Sequence, residues 1–295
     1  MFDYGALEAV VAARNAGTLD RAAKQLGLTA SAVSQKIKRA EAFFGKPLIV
    51  RTTPIKPTRF GEKLIGHYER VRLMEQGFST EADTSPFTTL SIATNSESLS
   101  VWFVENIADV CKKHRVLLDM VIEDEKKTSQ MLQETRVMAC VSSDPQAPSG
   151  CESHRLGELR YRFVCSPEFK AQYFPRGLSK EALMQAPTAV FGVFDQVHED
   201  FVQRIFPGWN GFTTNRHLIR SPEALLKLAL HGMACIVLLE PVIEKHLKSG
   251  ELVDLSPGKV FRIPLFWQHY AAPNTILEDV TRDLVQRTRA VLRKS

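Results

Sequence analysis

The chain has 295 residues, 44% of them hydrophobic and 24% charged, with a formal net charge of +5 at pH 7. This length is sufficient for two or three domains with their own cores, and the composition excludes a disordered or fibrous protein. No apolar run approaches the roughly 18 residues of a membrane-spanning helix, and the acidic N-terminal segment lacks the basic start of a secretory signal, so we expect no membrane contact and a cytoplasmic location.

The first 45 residues contain three helical patterns separated by glycines. Apolar residues at helical spacing predict a first helix that ends before Gly17, and Thr18 is suited to cap a second helix that ends at Gly27. Thr29 is suited to cap a third helix, whose apolar residues run to Phe44 in steps of three and four. Two helices joined by a short turn that contains glycine are the signature of a helix-turn-helix.

The polar face of the third predicted helix carries side chains that can reach base edges in the major groove of DNA. These candidate DNA contacts are Thr29, Ser31, Ser34, Gln35 and Lys38. An ordinary pair of packed helices with a solvated face would show the same pattern, and the helices alone support the two interpretations equally.

A short β-like segment with a basic tip follows the third helix. Residues 47–54 have no helical period and are typical of a wing that lies against phosphates or in the minor groove. The candidate contacts of this wing are Arg51, Thr52, Thr53 and Lys56. Residues 1–60 carry a net charge of +6 and leave −1 for the remainder, so the basic excess is concentrated on the predicted DNA-binding module.

Thr58 is suited to cap a fourth helix that runs from Arg59 to about Phe78. Its apolar residues recur every three to four positions, as in a coiled coil, and one helix cannot bury such a stripe by itself. The stripe is therefore expected to pack on a second copy of the chain or, alternatively, on its own domain. The polar residues 80–89 break the periodicity and predict a hinge.

From residue 88 onward, strands alternate with helices, which predicts a mainly parallel α/β sheet. The predicted strands are Leu90–Thr94, Leu117–Ile122, Val137–Val141, Arg162–Cys165, Thr188–Phe191, His217–Arg220, Ala234–Leu239 and Phe261–His269. The predicted helices cover residues 98–113, 128–134, 167–174, 179–186, 196–206, 222–231 and 274–293, and residues 144–150 are a predicted loop.

Polar residues follow the first two of these strands, where α/β proteins bind their ligands. They are Thr94, Asn95, Ser96, Glu97 and Ser98 after the first strand, and Glu123, Asp124 and Glu125 after the second. Hydroxyls and free N–H groups at a helix start suit a carboxylate, and the acidic cluster suits a cation, so the pair predicts an amino acid with a basic side chain. The alternative is an ordinary helix cap and a solvated acidic triplet.

Catalytic and metal-binding motifs are not evident in the sequence. There is no G-x-S-x-G, P-loop, G-x-G-x-x-G or H-E-x-x-H, so we expect neither an enzyme nor a cofactor. The eight histidines are scattered, and we expect no metal site. The five cysteines form no C-x-x-C pair and are better explained as small buried residues of a reduced protein than as redox sensors.

The stretch AAKQLGLTASAVSQKIKRAEAFFGKPLIVRTTPIKPTRFGEKL resembles the winged helix-turn-helix of LysR-type transcriptional regulators. Those proteins carry AA-x-x-L, [TS]-x-S-A-V-S-x-x-I and an L-[FLI]-x-R wing in this order. RTTPIKPT, SIATNSESL, VIEDE, FPRG, SGELVDLSPG and LFWQH are similar to the arginine- and lysine-sensing branch of that family, and the likeness covers nearly the full length.

The resemblance implies an α+β protein of several domains. A winged helix-turn-helix would occupy residues 1–58, a linker and dimerisation helix with its hinge residues 59–87, and an effector-binding domain residues 88–295. That domain would resemble periplasmic binding proteins, with α/β lobe I at about 88–165 and 266–295 and lobe II at about 166–265. A cleft between the lobes would be flanked also by Ser142, Phe191, Asp195, His198 and Ser221.

The resemblance also implies partners. The linker helices of two copies would pair antiparallel, and the dimer or tetramer would bind a two-fold symmetric site on double-stranded DNA, respond to arginine or lysine, and contact RNA polymerase. A DNA-architectural or replication-control protein without an effector switch is the alternative, since it would use the same N-terminal module. One position departs from the branch, which has F-D where this chain has Phe191-Gly192. Either the effector differs at that point or Asp195 supplies the acid.

Overall fold

The computed structural model describes residues 3–76, 87–124, 126–192, 196–209, 215–271 and 275–292. The N-terminal part consists of α1 (Tyr4–Ala16), α2 (Leu19–Leu26), α3 (Ala30–Phe44), β1 (Ile49–Val50), β2 (Lys56–Pro57) and α4 (Arg59–Gln76). None of the helices in the described ranges combines the length and the apolar composition that a membrane span requires.

Local signals set the ends of the first three helices. The Oγ1 atoms of Thr18 and Thr29 accept hydrogen bonds from backbone N–H groups in the first turns of α2 and α3, at 3.3 and 3.2 Å. The three helices end at Gly17, Gly27 and Gly45, whose φ values of 73°, 65° and 63° lie in the left-handed region that glycine adopts without a steric penalty. The three predicted helices and both predicted caps are confirmed.

The apolar stripe of α4 joins the core of the N-terminal part. Val10, Val33 and Ile37 are fully buried in that core, and Leu64 and Tyr68 of α4 pack with them. This part of the stripe therefore packs on its own module, which is the arrangement that the sequence left as the alternative. Phe78, the last predicted stripe position, and most of the predicted hinge lie outside the described residues.

The remainder of the chain alternates strands and helices, as predicted. Its first elements are β3 (Thr88–Thr94), α5 (Ser96–Ser98), a π-helical turn (Leu99–Phe103), α6 (Val104–His114), β4 (Val116–Ile122), α7 (Thr128–Gln133), β5 (Ala139–Ser142) and β6 (Cys151–Cys165). There follow α8 (Pro167–Tyr173), α9 (Lys180–Gln185), β7 (Thr188–Val190), α10 (Gln196–Ile205), β8 (Arg216–Leu218), α11 (Pro222–Leu230), β9 (Ile236–Leu239), α12 (Glu240–Ser249), β10 (Val253–Asp254), β11 (Phe261–Tyr270) and α13 (Ile276–Leu292).

The chain forms two compact units. Unit 1 comprises Met1–Asn95, Asn106–His154 and Phe266–Gln286, and unit 2 comprises Ser96–Glu105, Arg155–Leu265 and Arg287–Ser295. The predicted boundaries between the lobes lie at about residues 166 and 266. The main boundaries between the units lie after His154 and after Leu265, and two further short segments, Ser96–Glu105 and Arg287–Ser295, also belong to unit 2. The division into functional domains stays a prediction.

The strands of unit 1 are ordered β4-β3-β5-β11, with β3 parallel to both β4 and β5 and with β11 antiparallel to β5. In unit 2, β6 pairs antiparallel with β9 and β10, and β7 pairs parallel with β8. The predicted α/β architecture is confirmed. The prediction of a mainly parallel sheet is wrong, because β6 pairs antiparallel with β9 and β10, and β11 pairs antiparallel with β5.

Two elements are longer than predicted. The helical segment begins at Ser96, two residues before the predicted start, and a π-helical turn interrupts it. Strand β6 begins at Cys151, directly after the predicted loop, rather than at Arg162. Its first residues are mostly polar, so they lack the apolar alternation from which a strand is predicted.

Within unit 1, α4 packs against the turn that follows α7. Arg136 Nε lies 2.9 Å from Glu62 Oε2, and Arg59 pairs with Glu134. Gly66 faces the backbone of Thr135 so closely that a Cβ atom at this position would overlap the Thr135 carbonyl oxygen. The small side chain at position 66 therefore permits this approach.

Candidate DNA-binding face and effector site

Helix α3 has a polar surface whose side chains are not bonded to the rest of the described chain. Ser31, Gln35 and Lys38 are exposed and Ser34 is half-buried. Within the described residues, these four side chains make no hydrogen bond or ion pair. Thr29, the fifth candidate, caps the helix through its Oγ1 atom. An exposed face of short polar side chains at the start of such a helix is the arrangement that reads base edges.

The predicted wing is a two-stranded antiparallel hairpin. Strand β1 pairs with β2, with Ile49 opposite Pro57 and Val50 opposite Lys56. Arg51, Thr52 and Thr53 form its exposed tip together with the exposed Lys56, and Thr52 Oγ1 donates to the Pro54 carbonyl at 2.8 Å. Both basic side chains are therefore displayed toward solvent, where a phosphate can reach them.

Two side chains that the sequence analysis did not single out for this role hold the wing in place. Glu41, on α3, accepts hydrogen bonds at Oε1 from the backbone N–H groups of Leu48 and Ile49, at 2.9 and 3.5 Å. Thr58 donates from Oγ1 to the Pro47 carbonyl at 2.8 Å and accepts from the first turn of α4. The wing is thus bonded to α3 at one end and to the start of α4 at the other, and these bonds fix its position relative to α3.

Three parallel strands of unit 1 end side by side, and predicted effector residues follow them. The Glu123 N–H donates to the Thr94 carbonyl at 3.0 Å and joins the ends of β3 and β4. Thr94 is fully buried, and its Oγ1 atom has no hydrogen-bond partner among the described residues. Asn95 is also buried. Ser142, at the end of β5, is fully buried and accepts at Oγ from the Asp144 N–H at 3.0 Å.

The acidic residues after β4 are exposed and make local hydrogen bonds. Asp124 Oδ1 accepts from the Lys126 N–H at 2.9 Å, and Glu123 Oε1 accepts from the Asp124 N–H at 3.0 Å and lies 4.0 Å from Lys127 Nζ. These contacts are those of the turn that starts α7, which is the solvated arrangement left open as the alternative. Glu125 lies outside the described residues.

In unit 2, Glu97 has a partner that the sequence did not reveal. Tyr161, on β6, donates from its hydroxyl to Glu97 Oε2 at 2.6 Å, and the tyrosine is only 1% exposed. Glu97 follows Ser96, whose carbonyl accepts from the Ser100 hydroxyl at 2.8 Å, and precedes the fully buried Ser98. The hydrogen bond orients the carboxylate and limits its freedom to move toward a ligand.

The other predicted residues of unit 2 follow β7 and β8. Phe191 is half-buried directly after β7, and Ser221 caps α11 by accepting from the Ala224 N–H at 3.3 Å. His198 is buried with its ring edge-on to Phe163, with centroids 5.8 Å apart. Asp195 lies outside the described residues. The candidate effector residues therefore fall on both units, with Thr94, Asn95, Glu123, Asp124 and Ser142 on unit 1 and Ser96, Glu97, Ser98, Phe191 and Ser221 on unit 2.

Cys140, Cys165 and Cys235 are buried, as predicted, whereas Cys111 and Cys151 are half-buried. Burial raises the pKa of Cys140 and of Cys165 to about 12 and that of Cys151 to about 11. These thiols are protonated at neutral pH, which makes them weak nucleophiles.

Comparison with known proteins gives both regions a family. Residues 4–62 match the bacterial regulatory helix-turn-helix protein, lysR family, and residues 84–288 match the LysR substrate binding domain. The HTH-type transcriptional regulator ArgP of Klebsiella pneumoniae is 38% identical over 296 residues, which cover 99% of this chain and 98% of that protein.

Solved structures agree on the fold over the full length. ArgP from Mycobacterium tuberculosis, at 28% identity, superposes with a TM-score of 0.82 and covers 98% of both chains. LysG from Corynebacterium glutamicum with bound effector Arg, at 24% identity, has a TM-score of 0.69 and covers 97% of this chain and 98% of its own. These matches do not favour a purely architectural DNA-binding protein. The chain belongs to the LysR family of bacterial transcriptional regulators, which bind DNA and whose activity is modulated by a small-molecule effector.

Proposed function

We propose that the effector of this regulator is a basic amino acid, arginine or lysine, and that it controls genes such as those of amino-acid export or metabolism. The identity of 38% over the full length with regulators named ArgP supports this proposal, as does the arginine bound to the LysG structure. The structural observation that carries it is the buried, unpaired hydroxyl of Thr94 at the carboxyl end of a central parallel strand. A ligand carboxylate would accept the hydrogen bond that this hydroxyl lacks within the described residues.

The proposed site divides the amino acid between two kinds of partner. Hydroxyl and amide groups of Thr94, Asn95, Ser96 and Ser142 would hold the carboxylate at the strand ends and the start of the helical segment. Glu97, which accepts a hydrogen bond from Tyr161, would meet the cationic end, whereas Glu123 and Asp124 are exposed to solvent.

Gly192 permits a direct test of the position that departs from the branch. Among the described residues, and apart from its neighbours in the chain, no atom lies within 4 Å of the point where a Cβ atom would be, so these residues leave room for a larger side chain. If the acid found there in the branch contacts the cationic end of the effector, Gly192→Asp should bind arginine more tightly than the natural chain does. An unchanged affinity would show that this position does not face the ligand.

Thermal shift with matched ligands tests the effector proposal. A ligand at one hundred times its dissociation constant stabilises a protein by about 2.7 kcal/mol. Arginine or lysine should raise the melting temperature, whereas citrulline, which lacks the charge, and agmatine, which lacks the carboxylate, should not. Ser96→Ala should weaken the arginine response without changing DNA affinity in its absence, and Ser149→Ala, in an exposed loop, is the control. A shift with citrulline equal to that with arginine would contradict the proposal of a cation-selective site.

We also propose that the chain acts in the cytoplasm as a dimer or tetramer on a two-fold symmetric operator and contacts RNA polymerase there. One α3 face and one wing would meet each half-site, and the net charge of +6 on residues 1–60 would give a steep fall of affinity with salt. Fluorescence anisotropy on a complete operator and on a single half-site tests this. Equal affinity for both would contradict the two-fold arrangement.

A further inference from the structure

We propose that Glu152, His154 and His269 form a binding site for a divalent transition-metal cation of the zinc, cobalt or nickel type. All three residues belong to unit 1, and their ligand atoms lie within 4.8 Å of one another. None of them belongs to the DNA-binding face or to the effector residues described above.

The distances between the three ligand atoms suit one shared cation. His154 Nε2 lies 3.1 Å from His269 Nε2, and Glu152 Oε2 lies 3.5 and 3.8 Å from the same two nitrogens. Atoms bound tetrahedrally at about 2.0–2.1 Å from one zinc ion are about 3.3 Å apart, so each pair is within about half an ångström of this arrangement.

One of the two imidazoles is oriented for ligation by the backbone. His269 is 4% exposed, and its Nδ1 atom lies 2.8 Å from the carbonyl oxygen of Tyr270. The carbonyl accepts only, so Nδ1 carries the proton and Nε2 carries the lone pair that faces His154 and Glu152. A hydrogen bond of this kind, from the ring nitrogen that does not bind the metal to a carbonyl, is a regular feature of histidine metal ligands.

The strand geometry explains why three distant residues meet. Glu152 and His154 are two positions apart on β6 and therefore point to the same side of that strand. Strand β11, which carries His269, is the neighbour of β6 in the sheet. The rings of His154 and His269 lie parallel, with an interplanar angle of 6°. In this arrangement the two Nε2 atoms face each other, so one ring must turn before both can face a cation on the side of Glu152. We expect His154 to turn, because its side chain is 33% exposed.

The ligand set selects the class of cation. Two imidazole nitrogens and one carboxylate oxygen suit borderline transition metals, whereas magnesium and calcium prefer all-oxygen sites. Three protein ligands leave a fourth position for water. A cation here would clamp β6 to β11, and these two strands are the ones that continue from unit 1 into unit 2. It would therefore resist separation of the strands at this point.

Calorimetric titration of the tag-free, chelator-treated full-length protein with cobalt chloride tests the site. We expect a single cobalt per chain, with a visible spectrum that lacks a thiolate band. Glu152→Gln and His154→Gln should weaken binding by at least about tenfold. Neither variant removes a core residue, because the two side chains are 55% and 33% exposed. His246→Gln is the matched control, since His246 Nδ1 lies 2.9 Å from Glu251 Oε2 without a second imidazole, and it should bind cobalt like the unaltered chain.

Several outcomes would overturn the proposal. An unaltered chain that takes up no cobalt, or a His154→Gln chain that binds it equally well, would show that the two rings form only a hydrogen-bonded pair. A thiolate band would assign the metal to cysteines. The clamp has its own readout, because zinc chloride should raise the melting temperature of the unaltered chain and not that of His154→Gln. An equal rise in both would refute the clamp.

Discussion

The α3 face and the strand ends of the effector region both display short polar side chains, but the fold uses them differently. Ser31, Gln35 and Lys38 are exposed and make no hydrogen bond within the described chain, whereas Glu97 and Ser142 are hydrogen-bonded within their own units. A side chain that makes no such contact can be replaced with little effect on folding, so the base contacts proposed for α3 can be tested without loss of stability. At the strand ends we expect stability and effector binding to be coupled where a polar side chain already has a partner, as Glu97 and Ser142 have, so substitutions that remove these bonds should affect both.

Gly66→Ala, on α4, is expected to have the largest effect on the stability of the chain. The added methyl group would overlap the Thr135 carbonyl, and such overpacking should lower the free energy of unfolding by about 3 kcal/mol, measured by urea denaturation. The exposed Lys63→Ala on the same helix is the control. Equal stability of the two variants would show that α4 does not pack on this turn in solution.

Tyr161→Phe tests the coupling at the strand ends. The substitution removes the hydroxyl that bonds Glu97, and a hydrogen bond to a charged group contributes about 1.5–3 kcal/mol to stability. We expect a loss in that range by chemical denaturation, together with weaker arginine binding. Tyr173→Phe, at a half-buried tyrosine, serves as control and should change neither quantity. A Tyr161→Phe protein of unchanged stability would show that the hydrogen bond between Tyr161 and Glu97 does not stabilise the fold.

Gln35→Ala tests the independence of the α3 face. Loss of a base contact should weaken operator binding by about 1–3 kcal/mol and relax the preference for bases at one position. Because the side chain is exposed, the free energy of unfolding should change by no more than about 0.5 kcal/mol. Binding is measured by fluorescence anisotropy on operator and scrambled duplexes, with Gln203→Ala as control. A large loss of stability in Gln35→Ala would show that the α3 face, like the strand ends of the effector region, contributes to folding.

Arg51→Ala should weaken binding to all DNA sequences alike. An arginine on a phosphate contributes about one unit to the slope of log affinity against log salt, so the slope should fall by about 1. A salt titration of the variant beside Arg176→Ala, an exposed arginine of unit 2, measures it. If both variants keep the natural slope, the wing does not contact the backbone.

Thr94→Val should have the smallest effect on folding. Its buried hydroxyl has no partner among the described residues, so an isosteric methyl group should leave stability unchanged or slightly higher while arginine binding weakens. Thr128→Val is the contrasting control, because Thr128 Oγ1 donates to the Val141 carbonyl at 2.7 Å and its loss should cost about 1 kcal/mol. Thermal melts with and without arginine separate the two effects. Unchanged arginine binding by Thr94→Val would exclude this hydroxyl from the site.

Sequence predicted the elements whose signals are local. The caps at Thr18 and Thr29 and the terminal glycines act within one helical turn, so α1, α2 and α3 could be placed from the residues alone. The antiparallel pairs of β6 could not, because its partners β9, β10 and β11 begin at Ile236 or later, which is at least 71 residues after its last residue, Cys165. The polar start of this strand is stabilised by neighbours that no local pattern identifies.

The candidate effector residues show the same limit. Their positions after strands β3, β4, β5, β7 and β8 followed from the alternation of strands and helices. The bond between Tyr161 and Glu97 joins residues 64 apart, and the contact of His154 with His269 joins residues 115 apart. Sequence alone indicates which residues are polar at a strand end, but it does not show which of them already have partners.

The π-helical turn Leu99–Phe103 has a consequence for how the chain can tolerate changes in length. A π turn accommodates one extra residue in an otherwise α-helical path, and each residue of an α-helix turns the path by about 100°. Deleting Ser100 would restore regular winding. Because the π turn has already absorbed the extra residue, the directions of Ser96, Glu97 and Ser98 relative to Val104 would stay nearly the same. A residue added between positions 98 and 104 without a further π turn would instead rotate these three side chains by about 100° relative to Val104. The segment should therefore tolerate the loss of one residue, whereas an insertion there should abolish effector recognition even where every polar residue is retained.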